Sequence, residues 1–279
     1  STVHSDLADS NSRSGELADR ALDRLATEPF KSFAPITIDY IRQSMRRPDA
    51  SAWLPSTMAS EATRSRDMSA LDRLGLATKY IEQGNGEAAV DLLPVTLLRQ
   101  IDPYTYWVTL GRAQMAFSDL RAAELSFSMA IETYRLSPTA FHYRGVCRMT
   151  MRSVNDARKA IDDFSSALAR QPDSVESLMN RSMAREFTGD LAEAMSDVKK
   201  LLDRDPENVR ALIIQSRLYR KLDEPELAKQ ALERAFQTPP KEISGWISVA
   251  LARLPSDIEG ALRDLLHAQK LSPSSIEVL

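Results

Sequence analysis

A 34-residue period runs through most of this chain and constrains it more than any other feature. It is clearest from Asn180 to Pro206, NRSMAREFTGDLAEAMSDVKKLLDRDP. Apolar residues recur there at helical spacing on both sides of a Gly189-Asp190 turn, and Pro206 stops the second helix. One period on, Ala194 becomes Ala228 and Pro206 becomes Pro240. One period back they become Ala160 and Pro172, and Leu201 becomes Ala167. A helical hairpin of this size cannot bury its apolar face alone, so successive hairpins must stack into a shared core. The expected fold class is all-α, built from stacked antiparallel helix pairs.

Composition narrows function more than fold. A net charge of −3 argues against a general nucleic-acid binder and leaves room only for local basic stripes. Cys147 is the only cysteine, which rules out an intrachain disulfide and makes a reducing, cytoplasmic setting the expectation. No apolar run reaches the ~18 residues of a spanning helix, and no leader pattern opens the chain, so membrane insertion is not expected. The first residue is Ser1, which raises the expectation of a fragment of something longer. No Gly-rich loop precedes a Lys-Ser/Thr pair, and the kinase triplets HRD and DFG do not occur. His4, His142 and His267 lie far apart in the sequence. The chain is therefore read as non-enzymatic, with no cofactor and no metal.

Taken in order, residues 1–15 are polar and read as a disordered lead-in. Residues 16–69 read as a helical N-terminal cap or linker, with Leu17, Leu22 and Leu25 on one face and Ile38, Ile41 and Met45 on another. Residues 70–279 read as the repeat array, in approximate units 70–103, 104–138, 139–172, 173–206, 207–240 and 241–273. The first unit is degenerate. Leu74 and Gly75 match the usual Leu-Gly pair, and Pro94 falls within the second helix, where it should kink it or sit in its first turn. The second carries Trp107, Leu110, Gly111, Ala113, Ala123, Phe127 and Ala130. From Gly111 to Gly145 is 34 residues but from Ala130 to Ala167 is 37, so three extra residues are expected in the third unit's turn, around Arg152 to Asp156. Ile276 to Leu279 form an apolar end without a polar capping helix, which raises homo-oligomerisation through an end repeat as a further reading.

From about residue 70 onward the chain resembles the tetratricopeptide-repeat family, through the Trp-Leu-Gly, Ala, Phe and Ala positions just named. The resemblance implies an α-solenoid, a right-handed superhelix of about six units whose groove is lined by the first helices. It also implies a protein–protein interaction scaffold that takes a partner peptide or helix in that groove. The third and fourth units resemble a bacterial style in which Arg144 and Arg181 replace the usual Leu, with Arg148 and Arg185 four residues on. The sixth unit is similar to arrays carboxy-terminal to bacterial, planctomycete-type Ser/Thr protein kinases. That narrower likeness implies the alternative, a non-catalytic regulatory arm of a larger kinase.

Mapping the family's groove positions onto this chain gives Arg112, Met115, His142, Val146, Met149, Met179, Asn180, Met183, Glu186, Arg210, Ile213, Arg217 and Arg220. Methionines among arginines suit an adaptable peptide surface. The carboxylate clamp of chaperone-binding relatives is not expected, because His142, Val146 and Ile214 depart from its Lys and Asn positions. Arg144 and Arg181 are expected to pair with acids of the second helices, Asp163 and Asp197, in a structural role. Cys147 reads as a buried small hydrophobe.

Overall fold

The computed structural model describes residues 68–271. The lead-in, nearly all of the 16–69 segment and Ile276 to Leu279 lie outside the described residues. Within them the chain is all-helical, with twelve α-helices and one 3₁₀ helix, and it divides into two units, Ser1–Cys147 and Arg148–Leu279.

The described part of the first unit runs α1 (Ala70–Glu82), α2 (Gly86–Asp91), a 3₁₀ helix (Val95–Arg99), α3 (Pro103–Ala116), α4 (Leu120–Thr133) and the start of α5 (Pro138–Thr150). Its core gathers Leu93, Leu97, Leu98, Tyr106, Trp107, Met129 and Ala130. The chain accommodates Pro94 by ending α2 early. Pro94 then stands as the N-cap of the 3₁₀ helix, where its missing N–H costs nothing. The carbonyl of Leu93 just before it accepts the Tyr106 hydroxyl at 3.0 Å.

The second unit runs α6 (Val154–Arg170), α7 (Val175–Thr188), α8 (Leu191–Arg204), α9 (Val209–Lys221), α10 (Pro225–Gln237), α11 (Ile243–Arg253) and α12 (Ile258–Leu271). Leu178, Val198, Leu201, Ala211 and Leu218 form one buried cluster, and Val209, Leu212, Ala235 and Val249 another. On the last hairpin Ile258, Leu262 and Leu266 recur four apart and are exposed.

One turn geometry recurs in both units. The residue before the N-cap of the second helix is left-handed at Gly84, Ser118, Arg152, Gly189 and Asp223. The N-caps that follow, Asn85, Asp119 and Ser153, accept the backbone N–H of Ala88, Ala122 and Asp156. Side-chain identity varies at the left-handed position while the backbone does not, so the sequence signal there is weak.

Two expectations are corrected by this register. The turn after α5 has the same length as the turn after α3, and the extra residues lengthen α6 to 17 residues against 14 in α4. The added residues extend the helix because Ser153 caps it as early as Asp119 caps α4. In the first repeat, counting back from the N-cap puts Ala77, fully buried, where Gly111 stands in the second. Gly75 is exposed, and a Cβ there would meet nothing. Gly111 is different: a Cβ would lie 2.6 Å from the Phe127 ring, so only glycine lets α3 and α4 approach this closely.

Candidate functional site

The buried face between the two helices of a hairpin carries a polar pair at one repeat position. In the second repeat Ser126 donates to Gln114 Oε1 at 2.6 Å. In the third Arg148 donates to Asp163 Oδ2 at 2.7 Å. In the fourth Asp197, 0% exposed, takes Arg181 as a fork (Nε to Oδ2 at 2.9 Å, Nη2 to Oδ1 at 2.6 Å) and Arg185 Nη1 at 2.6 Å. In the sixth Arg253 Nε stands 3.5 Å from Asp264 Oδ2. The fifth repeat has Tyr219 and Ala231 at these positions, and no charge. A second bond ties hairpin to hairpin within a unit. Arg144 Nη1 donates to Ser128 Oγ in the first unit, and Arg181 Nη1 to Ser165 Oγ in the second, each at 3.0 Å. These arginines are thus held by the protein's own carboxylates and hydroxyls.

The residues mapped to the groove have several fates. In the first unit Arg112 lies 5.6 Å from the centre of the Tyr143 ring, and His142 meets the same ring edge-on. Met115 and Val146 are half-buried. In the second unit Met149 and Asn180 are half-buried. Met179 is 1% exposed and Ile213 is also buried, so both belong to the core. They fall at apolar positions one helical turn from the exposed residues, where stacking of α7 and α9 on their neighbours covers them. Glu186 is buried and already partnered. Arg217 forks onto it (Nη2 to Oε2 at 2.6 Å, Nε to Oε1 at 3.3 Å), and Lys221 Nζ stands 3.2 Å from Oε1. Arg210 is half-buried and Arg220 exposed.

Exposed residues of the same face that the family mapping passed over are Phe187, Lys221, Leu251 and Leu254. Their signal was available in the period: one step from Met183 is Arg217 and the next is Leu251, while Glu186 leads to Arg220 and Leu254. The helices that carry them are neighbours, α7 packing on α9 and α9 on α11. The Arg217–Glu186 fork spans the first of these contacts.

Other chemistry is sparse. Cys147 is buried and its thiol donates to the Leu120 carbonyl at 3.1 Å. Burial pushes the Tyr106 phenol above the usual tyrosine range. Among the described residues no group of three or more His, Cys, Asp or Glu could hold a metal ion, and no helix is long and apolar enough to cross a membrane.

Capped hairpins with one turn geometry, packed through small residues and returning every 34 residues, define a helical-repeat array. Family models described as tetratricopeptide repeat match residues 152–209 and 209–242. Residues 152–242 are thus tetratricopeptide repeats by family model, about a third of the chain. RNA polymerase II-associated protein 3 of Mus musculus is 25% identical over 160 residues, which cover 56% of this chain and 24% of that protein. The chain therefore spans about a quarter of the length of this relative. Among solved structures, MamA (residues 41 to the end) from Desulfovibrio magneticus superposes with a TM-score of 0.55 at 14% identity, covering 61% of this chain and 94% of that one. PilF of Pseudomonas aeruginosa gives 0.53 at 17%, covering 77% and 96%. YrrB, a TPR protein described as having an unusual peptide-binding site, gives 0.51 at 17%, covering 68% and 94%. At these identities the likeness is one of fold.

Proposed function

We propose that this chain is a protein-interaction scaffold, and that the first-helix face of its second unit holds a segment of a partner protein. One observation carries the reading. Met183 and Phe187 on α7, with Leu251 on α11 and Leu254 at its C-cap, are left exposed on the face that stacking does not need. An isolated exposed leucine is ordinary, but four large apolar side chains on two first helices that flank α9, with Met183 and Leu251 two periods apart, favour a binding surface. The helices beneath them are fixed by buried clusters and by the Asp197 ion-pair group, so the surface is presented by rigid elements. The reading as the regulatory arm of a larger kinase rests on the likeness of the last repeat alone.

The test compares capture of native-lysate proteins by the parent chain and by Arg220→Glu with Leu251→Ser, after both are shown to melt alike. Both side chains are exposed, so the fold should be unaffected. Arg217 is unsuitable for reversal, because a glutamate there would face Glu186. A protein retained by the parent and lost by the variant supports the reading. Equal capture by both refutes it for this face.

A further inference from the structure

The repeat register sorts the same face into three columns, one per first helix, apolar on either side of a basic one. The α7 column is apolar, with Met183 36% and Phe187 48% exposed. The α9 column is basic, with Arg217, Arg220 and Lys221. The α11 column is apolar again, with Leu251 63% and, at the C-cap, Leu254 50% exposed. Resting on the reading above, we infer that the partner segment carries an acidic residue between two apolar anchors, its carboxylate meeting the α9 arginines.

Charge and geometry both lead there. Glu186 supplies one negative charge to Arg217 and Lys221 and leaves the column with a positive surplus. Glu186 uses the Nε and Nη2 donors of Arg217, which leaves the Nη1 donors of its rigid fork for another acceptor. Arg220 is exposed and forms no ion pair among the described residues. A carboxylate placed between these guanidiniums receives charge-assisted hydrogen bonds without displacing Glu186. A basic or phosphate-free neutral segment would leave that surplus uncompensated. Spacing follows from helix packing. Neighbouring axes lie about 8–10 Å apart, so each apolar column is about three extended residues from the acid. Glu186 here is a positioning residue: it holds the Arg217 fork at a fixed place on the face.

The experiment is panning of a phage-displayed 12-residue random peptide library on the full chain. The recovered peptides are then measured by fluorescence anisotropy against the parent, Arg220→Glu, and Leu251→Ser with Leu254→Ser. The expected result is a family of peptides with Asp or Glu flanked on both sides by aliphatic or aromatic residues. Arg220→Glu should weaken them about 10–100-fold, as loss of a charge-assisted bond does. Changing the acid to its amide in the peptide should weaken binding to the parent, a readout that does not depend on any variant folding. Selected peptides that lack an acid, or acidic peptides that bind Arg220→Glu as well as the parent, overturn the inference and leave the scaffold reading standing. Peptides indifferent to every substitution on this face, or no enrichment at all, remove the reading and the inference together.

Discussion

Asp197 offers the sharpest test of how this array is held together. Its carboxylate is completely buried and accepts three short hydrogen bonds from Arg181 and Arg185, whose side chains are only 13% and 16% exposed. Asp197→Ala would leave the mostly buried Arg181 guanidinium without a counter-charge and Arg185 with only the exposed Glu193 at 3.5 Å, a loss of about 3–5 kcal/mol. The fifth repeat shows that the fold does not need the charges as such. One period on, Arg181, Arg185 and Asp197 become Gln215, Tyr219 and Ala231, and the hairpin of α9 and α10 has the same form. The triple replacement Arg181→Gln, Arg185→Tyr, Asp197→Ala should therefore cost about 1 kcal/mol or less, because it removes both the buried acid and the groups stranded by its loss. Urea titration followed by circular dichroism measures both, with the slope checked for a change in cooperativity, since repeat arrays can unfold in parts. A triple variant as unstable as Asp197→Ala, or an Asp197→Ala loss below about 1 kcal/mol, would refute this account of the pair.

Three further outcomes are expected. Gly111→Ala puts a methyl 2.6 Å from a Phe127 ring that is wholly buried and cannot swing away, so urea stability should fall by about 1–3 kcal/mol; an unchanged midpoint would show that α3 and α4 can part freely. Arg152→Gly relieves a left-handed backbone (φ 56°) at an exposed position and should raise stability by about 0.5–1 kcal/mol, whereas a fall would mean that the arginine side chain contributes more than the strain. The Tyr106 phenol is raised in the folded protein, so its contribution is intact below about pH 10, the unfolded value, and is lost as pH rises from there. Stability should fall by up to about 1.4 kcal/mol per pH unit above pH 10, and Tyr106→Phe should flatten that slope while costing about 1 kcal/mol at neutral pH through the Leu93 carbonyl; an unflattened slope places the alkaline sensitivity elsewhere.

The sequence by itself determined the kind of architecture, because periodicity states which residues must be buried together. Gly111, Ala123, Phe127 and their counterparts mark the closest helix approaches, and prolines 34 apart mark the ends. Register within a degenerate unit was not legible. Leu74-Gly75 imitates the family pair, yet the N-cap at Asn85 puts Ala77 in the packed position. Counting alone likewise could not say whether three added residues would lengthen a turn or a helix. Capping decided it, since Ser153 starts α6 at the first place the chain allows. The candidate surface divided in the same way. That first helices carry it follows from the family resemblance, but which of their residues reach solvent depends on how neighbouring hairpins stack. Tertiary packing took Met179 and Ile213 into the core, gave Glu186 to Arg217 and Lys221, and left Phe187, Leu251 and Leu254 outside. A one-dimensional pattern specifies a helical face to within about one turn. Burial on that face changes from one residue to the next, and only the contact between helices resolves it.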